Sequence, residues 1–142
     1  MNSVPQLISR ELERLKKNGW DCIYVLVDLH GTIFKPSGSM VYEKFEFYPY
    51  AKECLQMLSR RSDIKLILWT STYGEDIETY VDVLSRNGIR FADINENRLE
   101  ASTALQDFSE KFYFNVGIDD KFGFDPMEDW AHLFRYLTII DI

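Results

Sequence analysis

The chain has 142 residues, 46% of them hydrophobic and 15% aromatic, with a formal net charge of -7. That length and composition suit one globular domain with a proper core, and no apolar stretch approaches the ~18 residues that cross a bilayer. The surplus of acids argues against a nucleic-acid backbone as partner, because that binding is driven by lysine and arginine displacing counterions; it suits a divalent cation instead.

From Pro5 to Lys17 the residues Leu7, Ile8, Leu12 and Leu15 recur at helical spacing, and Asn18-Gly19 supplies a stop. "CIYVLV" then reads as a strand that runs into Asp28 without a turn residue between. Pro36 to Ser39 reads as a loop, and "MVYEKFEFY" as a short extended flap or hairpin. Pro49 suits the first position of a helix with Ala51, Leu55 and Leu58 on one face. "IKLILW" is a second apolar strand, ending at Thr70. The next helix spans about 75–87, with Ile77, Val81 and Leu84 inward and Gly88 as terminator. "IRFADI" is a weaker third strand, and "FYFNVGI" a fourth that runs into Asp119 and Asp120. After Pro126 a short helical stretch leads to "YLTII", an expected edge strand.

Strands alternating with helices predict an α/β fold, three-layered and Rossmann-like, with a mainly parallel sheet. The uninterrupted apolar strands predict helices over both faces. Such sheets bind ligands beyond the carboxyl ends of their strands. Asp28, Thr70 and Asp119-Asp120 all stand at such ends, and they meet only if the fourth, first and second strands are neighbours.

These same residues carry a resemblance to a known family. "VLVDLHGTI" resembles the first motif of the haloacid dehalogenase superfamily of phosphohydrolases, an aspartate at a strand end followed by x-Asp-Gly-Thr. "LILWT" resembles the second motif, Lys111 in "SEKFYFNVGIDD" stands at the place of the third, and "GIDD" resembles the paired acids of the fourth. The motifs fall in the family's order from Val25 to about Trp130. The departure is His30, where most phosphatases of the family carry an acid/base aspartate.

The resemblance implies one HAD-like domain over 1–142, with an N-terminal helix in 1–19 and a flap in 33–48, too short for a folded cap. It implies a magnesium-dependent phosphatase acting on a phosphomonoester through an aspartyl-phosphate. Asp28 is then the nucleophile. Magnesium is held by Asp28, the backbone carbonyl of His30 and a motif-four acid, Asp119 first and Asp120 second. Thr70 and Lys111 bond the phosphoryl oxygens, with Ser71 and Thr72 competing for the role of Thr70. The backbone at Leu29 and Gly31 approaches the phosphate, Gly31 donating its amide, while the Thr32 hydroxyl orients Asp28. General acid–base help is worth roughly 10²–10⁴-fold, so His30 either restricts the enzyme to good leaving groups or marks an attenuated phosphate-binding or regulatory module.

Each residue also has a plainer reading: Asp28 and Thr70 as caps, Lys111 as a surface lysine, Asp119-Asp120 as a solvated turn. Two adjacent acids after a buried strand are nonetheless costly without a cation. Asp125, Glu128 and Asp129 read as solvent-facing or capping, and His132 as an ordinary packed or surface histidine. Trp69, Tyr73, Tyr42, Phe45 and Phe47 read mainly as packing residues that also border the entrance. "DINEN" begins like an EF-hand loop but fails at Arg98 and Ala104. A receiver domain, with similar residue types, carries its acids in the reverse order. Capless members of the family suggest a larger substrate or a homo-oligomer that supplies a lid. Cys22 and Cys54 lack a CxxC neighbour and read as reduced thiols rather than a disulfide. With no signal-peptide apolar segment at the N-terminus, the expected location is cytoplasmic.

Overall fold

A computed structural model describes residues 4–35, 45–72, 75–103, 105–108 and 111–140. In chain order these form α1 (Val4–Asn18), β1 (Ile23–Asp28), α2 (Ala51–Arg60), β2 (Ile64–Trp69), α3 (Glu75–Arg86), β3 (Asp93–Ile94), β4 (Val116–Ile118) and α4 (Asp129–Ile140), with a 3₁₀ turn over Asp120–Phe122. The four strands make one sheet in the order β3-β2-β1-β4, all parallel. β1 is thus central, with β2 and β4 on either side, as the strand-end acids require.

Alternation along the strands divides the sheet's two faces. Ile23, Val25 and Val27 of β1 join Ile64, Leu66 and Leu68 of β2 and Val116 and Ile118 of β4 in one core, closed by Ile8, Leu55, Leu58, Leu84, Trp130, Leu133 and Leu137 from the helices. The opposite face carries Tyr24, Leu26 and Ile67. There the chain between β3 and β4 lies across the sheet: Tyr24 stacks edge-on with Tyr113, and its hydroxyl donates to Glu100 at 3.1 Å. This part of the face is covered by aromatic, irregular chain among the described residues, and the four-strand parallel sheet flanked by helices is the expected Rossmann-like α/β architecture.

Polar groups fix the start of the sheet. Glu11, buried in α1, accepts from the side-chain amide of Asn115 at 3.2 Å, and Asn115 Oδ1 accepts from the Tyr24 amide at 2.8 Å. A carboxylate inside a helix–sheet contact is tolerable only with such partners, and Arg14 adds an ion pair at 3.1 Å.

Three expectations shift. "YLTII" is the last part of α4, not an edge strand. Its β-branched residues favour a strand locally, but burial of Trp130, Leu133 and Leu137 at helical spacing overrides that preference. Pro49 precedes α2 by two positions, because Tyr50 takes a left-handed φ of 66° before Ala51 begins the helix. The third strand shrinks to Asp93–Ile94. Of the expected flap in 33–48, residues 33–35 and 45–48 fall among the described residues, where Phe47 bridges Phe34 in antiparallel fashion; 36–44 lie outside them. Cys22 and Cys54 are free, Cys54 with its thiol donating to the Trp130 carbonyl at 3.2 Å. No helix among the described residues is long and apolar enough to cross a membrane.

Candidate functional site

Parallel register brings the acids together. Val27 pairs with Ile118, so the next residues, Asp28 and Asp119, leave adjacent strands at the same level. Asp28, Asp119 and Asp120 each place a carboxylate oxygen within 4.8 Å of the others. Asp28 is half-buried, Asp119 buried and Asp120 exposed.

Thr32 is the hub beneath them. Fully buried, it donates its hydroxyl to Asp28 Oδ2 at 3.0 Å, has Asp120 Oδ1 as a second acceptor at 3.3 Å, and accepts from the Asp120 amide at 3.1 Å. One proton cannot serve both carboxylates at once. The Thr32 carbonyl in turn accepts from the indole of buried Trp130 at 2.8 Å, anchoring the loop to α4. Gly31 holds a φ of +80°, and a Cβ there would meet Asp120 Oδ2 at 3.3 Å. The positive φ strains any ordinary side chain at position 31, and Asp120 would have to shift by a few tenths of an ångström to admit one.

The electrostatics are those of crowded negative charge. Burial first, then the charge of Asp119, push the Asp28 carboxyl up to about 6, against the opposing hydrogen bond from Thr32. Burial, with Asp120 beside it, also raises Asp119 above its usual range, although its side chain accepts from the Lys121 amide at 2.9 Å. Oxygen-only donors that repel one another in a half-buried pocket fit a hard divalent cation, which removes the repulsion.

Around this centre the other expected residues are unevenly placed. Leu29 buries its side chain completely, leaving only its backbone toward the site. The Gly31 amide donates to the Phe34 carbonyl at 3.1 Å, so the expectation that it points at a phosphate is not met in this arrangement. Thr70 follows β2; its hydroxyl accepts from the Thr72 amide at 3.1 Å, which leaves its own proton to donate. Ser71 beside it is exposed. Lys111 is exposed and lines an apolar cleft with Leu26, Trp69, Phe112, Phe114 and Phe122. No hydrogen bond or ion pair joins it to the three aspartates among the described residues.

His30 is exposed at its edge, with Nε2 at 2.9 Å from the Thr72 hydroxyl and its ring edge-on to Tyr80, centroids 4.9 Å apart. Burial of part of the ring lowers its pKa below the usual 6.5. Phe45 and Phe47 pack on Phe34 as core residues, while Tyr42 and Tyr73 lie outside the described residues. Reasoning from sequence had missed Asn95. Left-handed at φ 54°, it grips Thr70 at both ends, its Oδ1 accepting from the Thr70 amide at 2.8 Å and its Nδ2 donating to the Thr70 carbonyl at 2.7 Å. Asparagine's tolerance of this backbone conformation was the available signal. Asp129, by contrast, is a structural acid that accepts from the Asp125 amide at 2.7 Å.

A solved structure of a conserved protein from Bacteroides thetaiotaomicron is similar to this chain, at 27% identity and a TM-score of 0.62, over 83% of this chain and 91% of that one. No protein-family model matches the chain, and no curated protein does. The likeness extends across most of both chains, as an α/β fold with a parallel sheet would.

Proposed function

We propose that the protein is a magnesium-dependent phosphohydrolase of the haloacid dehalogenase type, with Asp28 as nucleophile. One observation carries the reading: three carboxylates from two neighbouring strand ends converge within 4.8 Å, and one of them is oriented by a buried threonine. Asp28, Asp119, Asp120 and the His30 carbonyl are the oxygens that would hold the magnesium ion. When bound, the ion offsets the repulsion between a carboxylate and an anionic phosphoryl group.

The chain's own residues supply the rest. Asp28 attacks phosphorus, the ester oxygen departs, and water then hydrolyses the aspartyl-phosphate to return the carboxylate and inorganic phosphate. The Thr70 hydroxyl, with its proton to donate, and the Lys111 ammonium are suited to phosphoryl oxygens. His30, neutral at pH 7, can take a proton from the attacking water but is a poor donor to a leaving group. That favours esters whose leaving group departs readily and makes the enzyme slow on the rest. The second reading, a phosphate-binding or regulatory module with attenuated turnover, is favoured by the engaged Gly31 amide and by His30 itself.

The test is hydrolysis of p-nitrophenyl phosphate with magnesium and with chelator, in the native chain and in Asp28→Asn. We expect metal-dependent turnover that falls at least about 10³-fold in the variant, since removing a nucleophile removes the covalent route. Full activity in Asp28→Asn would refute the nucleophile. Magnesium-dependent binding of phosphate without turnover in the native chain would select the second reading.

A further inference from the structure

The apolar cleft beside the carboxylates is unusual for its residues. Trp69 is 40% exposed and Phe122 65%, on a chain whose other large side chains mostly lie in the core. With Leu26, Phe112, Phe114 and Lys111 they line a half-open cleft of about 160 Å³. That is close to the roughly 150 Å³ of an apolar cavity known to hold benzene. Leu26, which lines it, has Gly117 as its register partner on β4. A Cβ on Gly117 would meet the Phe122 ring at 3.3 Å, so the glycine makes room for that wall. Trp69 and Phe112 form the other wall, with ring centroids 5.7 Å apart at 51°.

Chain connectivity ties this cleft to the acids. Leu26 lies two residues before Asp28 and leaves the same face of β1, about 7 Å away by strand rise. Trp69 is the register partner of Asp28, and Phe122 follows Asp120 by two residues on the same 3₁₀ turn. The cleft therefore opens next to the carboxylates, with one cation, Lys111, on its rim. An occupant matching both parts is anionic at one end and flat and apolar at the other.

We propose that this cleft is the leaving-group subsite and that it takes a planar aromatic ring, so the substrates are phosphomonoesters carrying an aryl or arylmethyl group. The proposal rests on the phosphohydrolase reading and goes on to name its substrate class. In the reaction the P–O ester bond breaks, its electron pair leaves on the ester oxygen, and that oxygen takes a proton from solvent water to give the alcohol or phenol in the cleft. Rings supply the affinity through stacking and burial, independent of the chemistry at phosphorus.

The experiment separates ring recognition from leaving-group reactivity. Phenylphosphonate and methylphosphonate, neither of which can be hydrolysed, are titrated into the native chain with magnesium, and turnover of benzyl phosphate is compared with ethyl phosphate, since both release alkoxides. We expect the aromatic member of each pair to be favoured about tenfold, the size of one good stacking contact. We expect Trp69→Ala and Phe122→Ala, both at exposed positions, to bring the members of each pair close together. Binding of both phosphonates with equal affinity in the native chain overturns the subsite and leaves the phosphohydrolase reading standing. Failure of both phosphonates to bind overturns both. A dimer by sedimentation that Trp69→Ala dissociates also overturns the subsite, because the cleft would then be a contact between copies of the chain.

Discussion

Two aspartates of this sheet stand in opposite electrostatic circumstances. Asp93, at β3, is buried, which alone would raise its pKa. Side-chain and backbone hydrogen bonds from Arg98, with the Ile94 amide, outweigh that and hold it below the usual carboxylate range. Asp28, at β1, has one hydroxyl partner and two acidic neighbours, and its carboxyl rises to about 6. Both acids belong to parallel strands, Asp28 ending β1 and Asp93 opening β3. One is satisfied by its own chain and the other is not. The difference teaches that a buried acid in a parallel strand is no mark of function by itself, whereas charge that the fold leaves uncompensated singles out a candidate.

The largest expected break in the comparison is chemical. Replacing His30 with aspartate restores a carboxylic acid next to Asp28, and we expect turnover of an alkyl phosphate to rise about 10²-fold, the lower end of general acid catalysis. A nitrophenyl ester, which departs unaided, should gain less. Paired rates on the two esters check this, and an equal loss on both would mean that the histidine is a fitted catalytic residue.

Asp93→Ala should act on stability alone. Losing the backbone and Arg98 hydrogen bonds costs about 2 kcal/mol, read as a lower urea midpoint at unchanged slope. Magnesium affinity should not move. Asp28→Asn should do the reverse, stabilising the metal-free fold by about 1 kcal/mol once solvent screening of a half-buried group is allowed for. A destabilised Asp28→Asn chain would contradict the uncompensated-charge account.

Smaller still is the pH response of the metal-free chain. An acid whose pKa rises on folding contributes stability fully below its unfolded value of 3.8, and that contribution is lost as pH climbs through about 6. Asp93, lowered on folding, contributes above 3.8 and loses its share only as pH falls below that. Unfolding midpoints measured from pH 7 down to pH 5 should therefore rise on the Asp28 account, and saturating magnesium should flatten the slope.

Much of this arrangement was legible in the sequence because it is local. Asp28, Thr70 and Asp119-Asp120 each end an apolar run, and requiring those ends to meet dictated the neighbours of β1. What the sequence withheld depends on distant pairings. Trp130 reaches the Thr32 carbonyl from 98 positions away, and Asn95 clasps Thr70 from 25 away. "YLTII" misled because local β preference and helical periodicity disagree there, and packing against α1 and α2 decides between them. Lys111 was legible as a cation before β4, but not as part of an aromatic wall, since that wall draws on three separate segments.

The central claim is that the three aspartates are left uncompensated in order to hold a cation. Calorimetric titration of magnesium into the native chain, Asp119→Asn, Asp120→Asn and Asp93→Asn tests it most directly. The account predicts binding to the native chain, at least about tenfold weaker binding in one of the first two variants, a loss of roughly 1.4 kcal/mol, and no change in Asp93→Asn. Unchanged affinity in both Asp119→Asn and Asp120→Asn, or no binding to the native chain, would contradict it.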